Sequence, residues 1–131
     1  MAGDLKYTKD HIWIKPVGKK KVRIGLSEYA LEKIGEIDYI TLPDIGDDIE
    51  KTDNFGEIES SSTVFELISP FTGNVVEVNE ETIHYPGIIN TDPLGNGWLI
   101  EAEMESNLDS VQLMEPDEYE EFVQQNAGEE S

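Results

Sequence analysis

The sequence predicts a mainly β fold, a compact antiparallel sandwich or barrel and not a parallel α/β sheet. Three observations carry this expectation. Between residues 36 and 101 the apolar residues fall in short runs of roughly five, an ordinary strand length, cut by turn signals at Pro43-Asp44, Gly46-Asp47, Asp53-Asn54, Ser69-Pro70, Gly73-Asn74, Pro86-Gly87 and Gly95-Asn96-Gly97. Upstream, Lys21-Val22-Arg23-Ile24-Gly25-Leu26 alternates polar and apolar with the period of a half-buried strand. Helical spacing is confined to one brief early stretch and to the acidic C-terminal part.

In chain order, Tyr7 to Ile14 reads as a first strand through the β-prone Ile12, Trp13 and Ile14, and it ends at Pro16 and Gly18. Residues 21–26 pair back on it as a hairpin around Gly18. Ser27 then offers an N-cap oxygen and Gly35 a residue suited to the position after a helix end, with Ala30, Leu31 and Ile34 at helical spacing between them. A short helix over 28–34 is predicted. The strands that follow are Ile37 to Thr41, Phe55 to Glu59, Val64 to Ile68, Val75 to Val78 and Trp98 to Ala102. In the C-terminal part Leu108 and Val111 can share a helix face. Beyond Pro116, acceptable in a first turn, Tyr119, Phe122 and Val123 recur at i, i+3 and i+4. The chain is read as one domain over 1–131 with 126–131 a loose tail.

Charge excludes whole classes of function. Nine basic residues face 29 acidic ones, a formal net charge of −20. Such a surface repels nucleic-acid phosphates and anionic lipid, so neither a nucleic acid nor a membrane is expected as partner. The asymmetry is sharper still along the chain: no lysine or arginine follows Lys51, while 19 of the 29 acidic residues do. The basic run Lys19-Lys20-Lys21 reads as a solvated turn, and the acidic run Glu115 to Glu121 as a solvated helical face. With no cysteine there is neither a disulfide nor a thiolate, which fits a cytoplasmic location. No apolar run approaches the ~18–20 residues of a membrane span.

Six collinear segments carry a family resemblance. Tyr7-Thr8-Lys9-Asp10-His11-Ile12-Trp13, Ile24 to Ala30, Leu42 to Asp47, Gly56 to Pro70, Gly73 to Asn79 and Asn90 to Leu99 follow, in order and spacing, the H protein of the glycine cleavage system. The resemblance spans nearly the whole chain. It implies a lipoyl-type hammerhead, or barrel-sandwich hybrid, with a small helix after the second strand and helices at the C-terminus. It also implies a non-catalytic shuttle: a hairpin lysine, in the pattern Glu-Ser-Val-Lys-Ala, is acylated by lipoate. The resulting arm carries an aminomethyl group between glycine decarboxylase and an aminomethyltransferase, and a dihydrolipoyl dehydrogenase reoxidises it.

Aligned without a gap, Glu59 and Ser60 match the lead-in of that pattern, Ser61 takes the valine place and Ser62 the lysine place. An amine forms a stable amide with a carboxylic acid, whereas a serine hydroxyl offers only an ester. Lys51 precedes the hairpin and matches a different family position. The expectation is therefore an H-like protein that is not lipoylated, needs no cofactor and is no enzyme. It would act as a binding or scaffold module, with glycine cleavage or lipoate-metabolism enzymes as protein partners. Ser62 marks the acceptor position, framed by Glu59, Ser60 and Glu66. The family's acid before the first Trp, which belongs to the cleft holding the loaded arm, is Ile12 here, and an apolar side chain offers no charge to a cationic group.

The alternative is a genuine glycine cleavage carrier, with lipoate as its cofactor. A third reading, a hydrolase using Ser62, requires a base and an orienting group, and His11 and His84 stand in no recognisable constellation with it. No histidine pair has metal-ligand spacing, and the acids fit no calcium-loop pattern.

Overall fold

The computed structural model describes residues 5–106 and 111–130, with side chains through Gln125. Its strands form two antiparallel sheets and not one closed barrel. The larger runs β1-β2-β3-β9-β8-β5, built from β1 (Lys6–Tyr7), β2 (Ile12–Pro16), β3 (Lys21–Leu26), β5 (Asp48–Ile49), β8 (Gly73–Val78) and β9 (Ile100–Met104). The smaller places β6 (Asn54–Ser60) between β4 (Ile37–Thr41) and β7 (Val64–Ile68). Apolar side chains from both sheets, among them Ile14, Ile24, Ile58, Leu67 and Ile100, merge into one buried cluster. Burial of that surface is the main force holding the sheets together.

The expected first strand over Tyr7 to Ile14 is in fact two strands separated by a tight turn. Thr8 Oγ1 accepts from the N–H groups of Asp10 (3.2 Å) and Ile12 (3.3 Å), and His11 takes φ 69°, a left-handed value uncommon outside glycine. The side-chain oxygen competes with the ladder for backbone donors and wins locally. Beyond the turn, β2 pairs with β3 in a continuous register, Ile12 opposite Leu26 and Trp13 opposite Gly25. Gly25 is required there: a Cβ would overlap the Trp13 indole, which lies across it.

The helix over 28–34 forms where its signals place it, as α1 (Glu28–Ile34). Ser27 Oγ accepts the Ala30 N–H at 3.2 Å, and Gly35, at φ 81°, donates its N–H to Leu31 O at 2.8 Å. Ala30, Leu31 and Ile34 face the core. The strand read over residues 21–26 forms as β3, and its first residue, Lys21, also counted in the solvated run Lys19-Lys20-Lys21, reaches Glu101 at 3.4 Å.

Two one-turn helices were not foreseen: α2 (Glu80–His84) and α3 (Gly87–Thr91). Pro86-Gly87 reads as a chain breaker in sequence, yet here Pro86 stands immediately before α3, where a missing N–H costs nothing. The last strand starts later than expected, at Ile100, because residues 92–98 form a closed loop. Asp92 O accepts from Gly95 (3.2 Å) and Gly97 (2.8 Å), and Asp92 Oδ2 accepts from Asn96 N–H (2.9 Å). Trp13 Nε1 donates to Pro93 O at 2.9 Å and ties this loop to β2.

Of the expected Leu108–Val111 helix face, Leu108 lies outside the described residues and Val111 is not helical. The chain there returns to pair Met114 with Tyr7 in an isolated bridge before α4 (Pro116–Glu130). That helix continues through residues 126–130, where the sequence predicts a loose tail. Among the described residues, no helix is long and apolar enough to cross a membrane.

Candidate functional site

The sequence directs attention to the β6–β7 hairpin. Its register is Asn54 with Ile68, Gly56 with Leu67, Glu57 with Glu66, Ile58 with Phe65 and Glu59 with Val64. The alternation of a pleated strand turns Ile58 inward, fully buried, and sends Glu57 and Glu59 outward. The tip is closed by the Ser60 N–H donating to Thr63 O at 2.9 Å, with Ser62 N–H near Ser60 Oγ at 3.4 Å. Ser61 and Ser62 are exposed at this tip. The four residues singled out from sequence thus gather on one hairpin: Glu59 and Ser60 end β6, Ser62 is in the turn and Glu66 is in β7. They do not converge on one point. Glu66 stands opposite Glu57 and accepts from Asn54 Nδ2 at 2.9 Å.

The far end of the hairpin is closed independently. Thr52, at φ 74°, donates its N–H to Ser69 O (2.8 Å), and Ser69 N–H returns to Asp53 O (2.9 Å). Lys51 sits at this end, its N–H on Thr72 Oγ1 at 3.1 Å. A strand of seven residues, Asn54–Ser60, separates it from the tip, roughly 20 Å at the usual rise of a strand. The tip offers hydroxyls and no amine, so the residues present do not fit a lipoyl amide.

His11 is engaged with α4, and His84 ends α2. His11 Nδ1 is 2.7 Å from Tyr119 Oη, and that hydroxyl is also 2.7 Å from Ser27 Oγ. The Tyr119 ring stacks on Tyr7 at 4.4 Å between centroids. Burial pushes the Tyr119 phenol up to about 12, against the Ser27 hydrogen bond, which lowers it, with Tyr7 and Tyr29 adding to the rise. This network fastens α4 to the turn before β2 and to the cap of α1. Sequence reading saw Ser27 as a cap and Tyr119 as a helix-face residue, but their meeting depends on a separation of 92 residues and left no local signal.

Ile12 is fully buried among the core residues. The position that the resemblance ties to an acidic cleft therefore belongs to the apolar interior here. A second feature missed from sequence is the outer face of the smaller sheet. Tyr39 is opposite Glu59, which is opposite Val64, and Tyr39 and Val64 are 70% and 53% exposed. The irregular register between Ile37 and Tyr39 keeps both Ile37 and Ile40 buried while Tyr39 points out. The spacing of Ile37 and Ile40, three apart in a strand, was the available signal.

Comparison with known proteins agrees with this architecture. The family model described as glycine cleavage H-protein matches residues 5–126. The glycine cleavage system H protein of Carboxydothermus hydrogenoformans is 40% identical over 122 residues, covering 93% of each chain. Glycine cleavage system H protein 2, mitochondrial, of Arabidopsis thaliana is 36% identical over 93% of this chain and 78% of its own. The crystal structure of a glycine cleavage system H protein from Mycobacterium marinum superposes with a TM-score of 0.82 at 35% identity, covering 95% of this chain and 98% of that one. With a family-model match over residues 5–126, 40% identity to a curated relative over 93% of each chain and a TM-score of 0.82 to a solved member, the chain belongs to the glycine cleavage H-protein family.

Proposed function

We propose that this chain is an H-like member of the family that is not lipoylated and works as a non-catalytic binding or scaffold module in lipoate-dependent or one-carbon metabolism. One observation supports the reading: Ser62 lies in the exposed hairpin tip, at the position that the ungapped resemblance aligns with the family's acceptor lysine. A serine hydroxyl can form only an ester, and the nearest preceding lysine, Lys51, lies at the other end of the hairpin. Glu59, Ser60 and Glu66 retain the framing without the amine. Enzymes of glycine cleavage or of lipoate metabolism are the partners this reading implies, and a single domain spans the chain. Intact-mass measurement after co-expression with a lipoate ligase tests it. The expected mass is that of the unmodified chain; a lipoyl-sized increment on any residue overturns the proposal.

A second reading, a working carrier of the lipoyl-bound aminomethyl group, is favoured by the family match over residues 5–126. It predicts that the chain restores glycine decarboxylation in place of an authentic H protein, where the first reading predicts no restoration. The Ser62→Lys variant separates loss of the acceptor from loss of recognition. Acceptance of lipoate by that variant means that only the tip has changed. The hydrolase reading gains nothing: among the described residues no imidazole or carboxylate is hydrogen-bonded to the Ser62 hydroxyl.

A further inference from the structure

From the outer face of the smaller sheet we infer a docking surface for a cationic protein partner, one that presents an apolar side chain flanked by arginine or lysine. The inference rests on the reading of this chain as a binding module and names the surface and the chemistry of what it binds. Two cross-strand rows define the face. The row nearest the tip is Tyr39, Glu59 and Val64, and behind it stands Thr41, Glu57 and Glu66. Side chains directly opposite one another in a sheet share a face, so each row is a contiguous strip.

Two large apolar side chains are exposed in the row nearest the tip. Of the six large hydrophobic residues exposed among the described ones, Tyr39 and Val64 lie on this sheet and Ile83 and Tyr85 lie on or beside α2, which packs along β4. An exposed apolar patch bordered by polar groups is the usual mark of a protein contact. Charge selects the occupant. Glu57 and Glu66 are directly opposite each other and Glu59 is one diagonal step from Glu66, an arrangement that costs stability because like charges face across the ladder. Among the described residues Asn54 alone answers them with a hydrogen bond, and none of the three carboxylates takes part in an ion pair. A guanidinium from a partner relieves that repulsion and can lie over the Tyr39 ring as well. A second copy of this chain brings the same carboxylates and a net charge of −20, so self-association on this face is disfavoured.

The test uses the full chain, isotopically labelled, titrated with a blocked pentapeptide in which arginine alternates with phenylalanine and leucine. The expected result is amide shift changes centred on Tyr39, Glu59 and Val64. In the double variant Tyr39→Ser, Val64→Thr, which keeps β-compatible residues at exposed sites, affinity falls about tenfold, and Glu59→Gln lessens the dependence of binding on salt. The control Ile45→Ser, also exposed but outside the sheet, leaves binding unchanged. Changes centred instead on the acidic residues at and around β5, Asp47, Asp48 and Asp53, or on α4, equal binding by the double variant, or no binding at all overturns the inference. A concentration-dependent dimer in sedimentation that the double variant abolishes also overturns it. Because intact mass reports on modification alone, an unmodified chain that fails this titration removes the docking surface and leaves the non-lipoylated reading standing.

Discussion

The Tyr119→Phe variant isolates the hydroxyl that fastens the C-terminal helix to the rest of the fold. It keeps the ring and its 4.4 Å stacking on Tyr7 and removes two contacts of 2.7 Å, to Ser27 Oγ and to His11 Nδ1. Ser27 is fully buried and retains the Ala30 N–H, so it loses one of two partners. At about 1 kcal/mol net per hydrogen bond, with an added desolvation cost where a buried partner is left short, the expected loss is about 1.5–3 kcal/mol. Urea unfolding followed by tryptophan fluorescence measures it, and an unchanged m-value shows that the denatured state is not the cause. A double-mutant cycle with Ser27→Ala should return a coupling of about 1 kcal/mol. A Tyr119→Phe variant within about 0.5 kcal/mol of the parent, the range of ordinary surface substitutions, or a cycle with no coupling, refutes the view that this network anchors α4.

Further expectations follow from the same geometry. The Tyr119 phenol titrates at about 12 in the folded chain against 10.0 when exposed; the raised value means that stability is complete below pH 10 and declines between about 10 and 12. The decline from this group is about 2–3 kcal/mol at 1.36 kcal/mol per unit, and urea midpoints measured across that range should fall less steeply for Tyr119→Phe. Gly25→Ala drives a methyl into the Trp13 indole and should cost about 1–3 kcal/mol, as overpacking does, with a change in tryptophan fluorescence. Asn90 donates to Gly35 O at 2.9 Å and accepts from Ile37 N–H at 3.0 Å; Asn90→Ala should cost about 1–2 kcal/mol and increase hydrogen exchange at Ile37. Arg23→Met leaves Glu101, only 7% exposed, with Lys21 as its remaining cation; thermal unfolding should reveal a loss of about 2–3 kcal/mol, short of the full cost of an unpaired buried charge.

Elements governed by local chemistry were legible before folding. Ser27, the apolar triad Ala30, Leu31 and Ile34, and Gly35 delimit α1 because capping and periodicity act within a few residues of sequence. Val64–Ile68 and Ile37–Thr41 are strands as expected. The misses have a common origin. The Thr8 turn divides a run of β-prone residues because one hydroxyl oxygen takes two backbone donors, and α2 and α3 are too short for periodicity to register. At the hairpin, the serines of the tip are plain in the sequence, but the facing of Glu57 and Glu66 is not, since register emerges only when β6 and β7 pair.

The mainly β class, the family and the chemistry of the hairpin tip can be read from residue identity and order alone, because each depends on which residues occur and where. The tertiary structure decided which of those residues meet. It set Tyr119 between Ser27 and His11, buried Ile12, and laid Tyr39, Glu59 and Val64 in one row across an exposed face. Such contacts join residues far apart in the chain, and their free energy is realised only after the core has closed and held the two sheets together.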